Sequence, residues 1–441
     1  MRLVLCSVLI GLFFMDTATV NAQVIATTKP GAVPDTLRER LKLNTFYQKH
    51  ASVGGFPVVS SSKVSDNALS EAAWIVGKML DGRKDILDAM TQNKVRLVVM
   101  AADEFTTDVP EHSNLKPKLY WDRRARGLGA TPSNPVVSCA EENLLGYDRD
   151  PYPSENIMVH EFAHAIHGTG LNRVDPTFDK RLRASYEAAK ERGLWKNTYA
   201  ETNRAEYWAE GVQCWFDDNA PPDSLHNDIR TRAALKKYDT NLAKLCEEVF
   251  GDREWRYERP SKRKPADLMH LTDYDPKKLP KFRWRDAPIT DRPKVTIQTS
   301  SGDFDVELDA KAAPAATAQF LKVALDGGYH SSHFERTVHD KLHEKDPATG
   351  RLVAAINPVW AKKWADDLKL NDLSKSTIAP TDGTLAMMRG GANRGSFILF
   401  VGTPNADPLD MVPFGRVTKG MDVIRKMLTG SVDIRRIIRS E

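Results

Sequence analysis

His160-Glu161-Phe162-Ala163-His164 sets two imidazoles four residues apart, with a carboxylate beside the first. On a helix, positions i and i+4 share a face. That face can offer two nitrogens to one zinc ion and bring Glu161 to a water held there. A hydrolytic zinc site takes three protein ligands and keeps a fourth position for water. Continuing the same helix does not supply the third, because position 167 is His and position 170 is Gly, the reverse of an H-x-x-G-x-x-H extension. Downstream, Tyr199-Ala200-Glu201-Thr202-Asn203-Arg204-Ala205-Glu206-Tyr207-Trp208-Ala209-Glu210 carries Glu206 and Glu210 four apart, again on one face. One can bind metal while the other orients a histidine. Charge alone would read this pair as a solvated acidic face. The interleaved Tyr207, Trp208, Trp215 and Phe216 call instead for a packed helix. Asp175 and Asp179 compete as third ligand.

Through these residues, the segment 140–216 resembles the gluzincin metallopeptidases of the anthrax-lethal-factor-like group. These pair an HEFGH-type helix with a Y-x-x-T-N-x-A-E-x-x-A-E segment. Tyr199, Thr202, Asn203, Ala205, Glu206, Ala209 and Glu210 stand in that order and spacing. The resemblance implies that His160, His164 and Glu206 are zinc ligands, Glu161 the general base and Tyr199 the phenol that stabilises the oxyanion. Glu210 would support the ligands from behind, and His167 is read as structural. The chemistry implied is peptide hydrolysis: zinc acidifies a water, Glu161 takes its proton, and Tyr199 with the metal holds the developing negative charge.

The C-terminal third reads differently. VTIQT and SGDFDVEL are strand-like, with Phe304, Val306 and Leu308 alternating. Through these, APAATAQFLKVALDGGYH, HFER, GTLAMM and FGRVTKGMDVIRKM, residues 294–441 resemble cyclophilin-type peptidyl-prolyl isomerases. The resemblance implies a closed antiparallel β-barrel with two helices. It implies that Arg336 stabilises a proline amide while its C–N bond twists, against a barrier of roughly 18–20 kcal/mol. Phe334, Met387 and Phe400 would line the prolyl pocket. The family's Q-G-G is absent; Ile356-Asn357-Pro358 stands there, beyond an enlarged loop at about 339–380. The glutamine of S-Q-F-F is lost in Ser396–Phe400, and the loop after Leu409-Asp410 is shortened. A specialised isomerase and a non-catalytic peptide-binding barrel both remain open.

The elements that must position these residues are legible in outline. Leu37 to His50 suits a short helix. Ala68, Leu69, Ala72, Ala73, Val76, Met79 and Leu80 recur at helical spacing, and Arg96 to Ala101 is a short β-rich run. Helical patterns return from Glu155 to about Phe250. Together they predict an α+β, zincin-like domain over 23–251. Residues 252–293 hold six prolines among many charges and read as an exposed, partly extended linker. The cyclophilin-like domain follows at 294–441.

Length and composition agree with such a multidomain protein. The 441 residues are 41% hydrophobic and 28% charged, which excludes rods and disordered chains. A net charge of +4 is too small for a dedicated nucleic-acid binder. Residues 1–22 read as a signal peptide, with Arg2, an apolar run from Leu3 to Met15, and small residues Val20 and Ala22 before Gln23. The mature protein is therefore expected to be secreted, periplasmic or at the cell surface, without stable membrane insertion. It would keep Cys139, Cys214 and Cys246, an odd number, with a Cys139–Cys214 pairing open. The expectation is an exported zinc peptidase-like protein with an isomerase-like barrel, acting on peptide or protein substrates, proline-containing ones included. The alternative is a folding assistant, or a peptide-binding protein with a vestigial metal domain.

Overall fold

The computed structural model describes residues 25–285, 289–337, 348–358, 360–361, 373, 376–389, 395–402 and 411–439. The signal peptide expectation, most of the enlarged loop and Leu409-Asp410 lie outside them. No helix among the described residues is long and apolar enough to cross a membrane.

The N-terminal unit is α+β. Its sheet runs in the order β1 (Gly31–Ala32), β2 (Lys49–Val53), β3 (Phe56–Ser60), β4 (Arg96–Met100) and β5 (Val136–Ala140). Strands β1 to β3 pair antiparallel; β3, β4 and β5 pair parallel. Every residue of β3, β4 and β5 is buried, as parallel strands covered on both faces require. Alternation splits them into two cores. Val58, Leu97, Val99, Val137 and Cys139 face the large helical core, while Val59, Val98, Met100, Val136 and Ala140 face Val33, Leu37, Leu41 and Tyr47. The early helix is shorter than its pattern suggests, Asp35–Leu41, because the backbone enters β2 at Lys49. The helix Asp66–Met79 starts where the Ser65 hydroxyl accepts from Ala68 N at 3.2 Å, a serine N-cap.

In the C-terminal unit eight strands close a barrel: β6 (Lys294–Thr299), β7 (Gly302–Leu308), β8 (Ser332–Thr337), β9 (Gly350–Ala354), β10 (Thr384–Met388), β11 (Phe397–Val401), β12 (Met411–Lys419) and β13 (Val432–Arg439). The order round the barrel is β10-β11-β9-β8-β13-β6-β7-β12, antiparallel throughout, with helices Pro314–Leu325 and Met421–Met427. Phe320, Tyr329, Phe334, Phe397 and Phe414 fill its interior, ring against ring.

Two expectations are refined here. The segment after residue 251 is largely exposed as far as residue 285, but it is anchored on the N-terminal unit at a few buried points. Arg263 clamps Glu71 through both guanidinium nitrogens at 2.9 and 2.6 Å, and its guanidinium lies 4.2 Å from the Trp74 ring centre. His270 reaches the same carboxylate at 2.7 Å and stacks on Trp74. Proline and charge content signalled extension, but Arg259 and Arg263 found buried carboxylates in Asp150 and Glu71. The cysteines are also settled: Cys139, Cys214 and Cys246 are all free and buried, and Cys214 donates to Ile229 O at 2.9 Å.

Candidate functional site

Two helices build the metal-type cluster. The first, Ile157–Ala165, begins where the Asn156 side chain accepts from Met158 N at 2.9 Å, and runs on into a π-helical turn, Ile166–Leu171. The second, Arg204–Trp215, is capped by Asn203, whose side chain accepts from Ala205 N and Glu206 N. Trp208 locks the two together by donating from Nε1 to Ala163 O at 2.9 Å. Gly127 and Gly129 let a neighbouring segment pass close by. A Cβ at Gly129 would sit 2.7 Å from the His164 Cβ, and one at Gly127 2.7 Å from Ser138 O.

His160, His164 and Glu206 converge as expected. His160 Nε2 lies 3.0 Å from Glu206 Oε2 and 3.2 Å from His164 Nε2, which is 3.3 Å from the same oxygen. Ligand atoms at zinc distance on a tetrahedron lie about 3.3 Å apart. The donor set and its spacing therefore fit a tetrahedral cation with one position left open. Each of the three side chains keeps 10–16% of its surface exposed, so the open side meets the cleft. Among the described residues this is the one such three-ligand cluster. Burial pushes the His160 pKa down, but the hydrogen bond with Glu206 and the carboxylates of Glu161, Glu206 and Glu210 outweigh it and raise it to about 10. Burial likewise opposes the Glu206 charge, and its bonds to both histidines hold its pKa well below the ordinary carboxylate range.

Behind His160 stands a residue that the sequence reading did not name, nearer than Glu210. Gln213 Oε1 lies 2.7 Å from His160 Nδ1, whereas Glu210 stands 3.6 Å away and is held by Asn219 Nδ2 at 3.1 Å. Gln213 Nε2 donates to Glu155 at 2.9 Å, which leaves its oxygen to accept from Nδ1–H. His160 Nε2 is thereby turned to the cluster. Gln213 lies seven residues after Glu206, two helical turns along one face, and that spacing was the available signal. The competing aspartates are engaged elsewhere: Asp175 with Arg181 at 2.6 Å, and Asp179 with His167 at 2.9 Å and Arg204 at 3.1 Å.

Glu161 and Tyr199 line the same cavity of about 650 Å³ as His160. Burial raises the Glu161 pKa. Tyr199 accepts from Arg124 at 3.4 Å; burial, helped by the Glu206 charge, raises its phenol to about 12, so it stays a donor near neutral pH.

The residues expected to form a prolyl pocket are separated. Phe334 and Met387 are fully buried inside the barrel, Phe334 against Phe397 at 5.7 Å. Strand parity explains this, since Ser332 and Phe334 of β8 both turn away from solvent while His333 and Glu335 face it. Phe400 belongs instead to a second apolar group with Ala386, Ile398 and Met411, flanked by Val353 and Met388. Arg336 lies on β8, where it donates to Thr349 O at 2.8 Å. Strand β9 stands between it and β11, which carries Phe400.

Comparison with known proteins places the barrel. The family described as cyclophilin type peptidyl-prolyl cis-trans isomerase/CLD matches residues 294–439. A peptidyl-prolyl cis-trans isomerase of Arabidopsis thaliana is 34% identical over 143 residues, covering 32% of this protein and 82% of the relative. A peptidyl-prolyl cis-trans isomerase-like protein of Rhizopus delemar is 32% identical, over 30% of this protein and 80% of its own length. The crystal structure of a Cryptosporidium parvum cyclophilin type isomerase is 16% identical, with a TM-score of 0.26, over 34% of this protein and 98% of that one.

Proposed function

We propose, for a protein that belongs through residues 294–439 to the cyclophilin type peptidyl-prolyl cis-trans isomerase family, that it acts on peptide segments at two sites. The first is prolyl isomerisation or prolyl-peptide binding by the barrel. The family match carries this reading, and Arg336 is the donor assigned to the twisting amide.

The second site is zinc-dependent hydrolysis in the N-terminal unit, on a zincin-like fold. The near-tetrahedral spacing of His160, His164 and Glu206 carries it. Zinc held there would supply Lewis acidity toward a peptide carbonyl and acidify a water. The protein's own residues do the rest. Gln213 fixes the His160 ring, Glu161 takes and returns a proton at its carboxylate, and the Tyr199 hydroxyl donates to the developing oxyanion. An exported location is part of this proposal, resting on residues 1–22.

Two full-length variants test both sites together. Glu161→Gln should lower hydrolysis of an unstructured protein substrate about 10²–10⁴-fold and leave prolyl isomerisation intact. Arg336→Ala should do the reverse. Isomerisation that survives Arg336→Ala would sink the catalytic role of that arginine. Hydrolysis that survives Glu161→Gln would sink the hydrolase reading.

A further inference from the structure

The cavity over the cluster has two makers. One wall comes from the N-terminal unit, with Arg124, Glu161 and Tyr199; the other comes from the barrel, with His330, Arg435 and Arg436. The walls are pinned together nearby. Arg436 donates to Arg124 O at 2.9 Å, and Arg123 pairs with Asp326 at 3.4 Å.

Arginines elsewhere around this cleft are matched to carboxylates: Arg126 to Glu142 at 2.5 Å, Arg259 to Asp150 at 2.8 Å and Arg123 to Asp326. Arg124 and Arg436 differ from these three. Their recorded acceptors are neutral, the Tyr199 hydroxyl and a backbone carbonyl. Among the described residues no carboxylate oxygen lies within 4.0 Å of either guanidinium. Two like charges drawn into one cleft, with no carboxylate in direct contact, are costly, although the Glu161 charge acts on Arg124 at longer range. Burial, and after it the neighbouring Arg124, lower the Arg436 pKa. Two further nitrogens on the barrel wall, His330 Nε2 and Arg435 Nε, are buried and have no hydrogen-bond partner. Arg435 also lines the adjoining pocket beside Tyr199 and Thr202.

We propose that this cleft binds the carboxylate of a peptide, clamped between Arg124 of the N-terminal unit and Arg436 of the barrel, with His330 and Arg435 donating alongside. The barrel is then the specificity wall of the hydrolytic site. Guanidinium forks match a carboxylate in two parallel bonds. The carboxylate belongs to the peptide's C-terminus or to an Asp or Glu side chain; the chemistry is shared. This inference rests on the hydrolase reading for its biological sense, but its test is one of binding.

Full-length Glu161→Gln protein, which should not turn substrate over, is titrated by calorimetry with three N-acetylated Ala/Phe pentapeptides. One ends in a free carboxylate, one is its C-terminal amide, and one is the amide with an internal Glu. At least one charged peptide should bind about tenfold or more tightly than the neutral amide. Which of the two does so distinguishes terminal from side-chain recognition. Adding Arg436→Gln should abolish the preference for the charged peptide over the neutral amide. Arg435→Gln, whose Nε has no bond to lose, should weaken the preference and covers the case in which Arg436→Gln does not fold. Equal binding of all three peptides, no binding of any, or a preference untouched by both substitutions would overturn the inference. Zinc content and turnover of the wild type are measured separately. A carboxylate preference without zinc or turnover removes the hydrolase reading and keeps the cleft; turnover without the preference does the opposite.

Discussion

In the N-terminal unit, three side chains from two helices meet within 3.3 Å of one another. In the barrel, the residues expected to act together are split between an interior core and a separate apolar group. Yet the barrel is the part with a matched family. The contrast follows from how each element displays its residues. A helix returns to one face every three to four residues, so H-E-x-x-H declares its own geometry. A strand alternates, and a shift of one position moves a side chain from pocket to core. Family likeness fixes the barrel's fold without fixing which face each residue takes.

Three perturbations bear on this contrast. The largest concerns which unit owns the segment after residue 251. Glu71→Ala leaves Arg263 buried and unpaired, at a cost of about 3–5 kcal/mol. Differential scanning calorimetry should show the N-terminal unit melting earlier and the barrel unchanged. A shift in both, or in neither, would erase that division.

Gln213→Leu comes next. It removes the acceptor for His160 Nδ1–H and should weaken zinc affinity about 10–100-fold in a competition titration with a chelator, with the fold retained. Unchanged affinity would return the supporting role to Glu210.

The smallest effect probes the seam between the units. Burial, and then Arg436, lower the His330 pKa to about 4; across the cleft Asp223 raises it and His226 lowers it further. The unfolded protein protonates this histidine near pH 6.5, where the folded protein does not. Stability from this group is therefore full above about 6.5 and falls as pH drops toward 4, with on the order of 2 kcal/mol lost by about pH 5. His330→Phe should flatten that part of the melting profile relative to wild type. Identical pH profiles would mean that the barrel does not bury His330 in solution.

The convergence of the helical residues was legible in part. The i, i+4 spacing put His160 and His164 on one face and left Glu206 and Glu210 as alternatives, and the resemblance to gluzincins singled out Glu206. Gln213 was passed over because an amide carries no catalytic signature, although its distance from Glu206 placed it on the same face. Phe334 and Met387 were misplaced because an apolar residue in a strand suits pocket and core equally. The seam was out of reach for a different reason: Arg124 and Arg436 are 312 residues apart, and no local pattern relates them. Arg263 was read as linker charge because its partner Glu71 lies 192 residues away.

Zinc in the purified protein, measured by mass spectrometry beside a matched Glu206→Ala variant, decides most between these readings. About one zinc per wild-type molecule is expected, as one three-ligand cluster implies, with its loss in the variant. A wild-type protein that takes up no zinc even when reconstituted with added metal would refute the His160/His164/Glu206 centre, and the barrel would become the main clue to function.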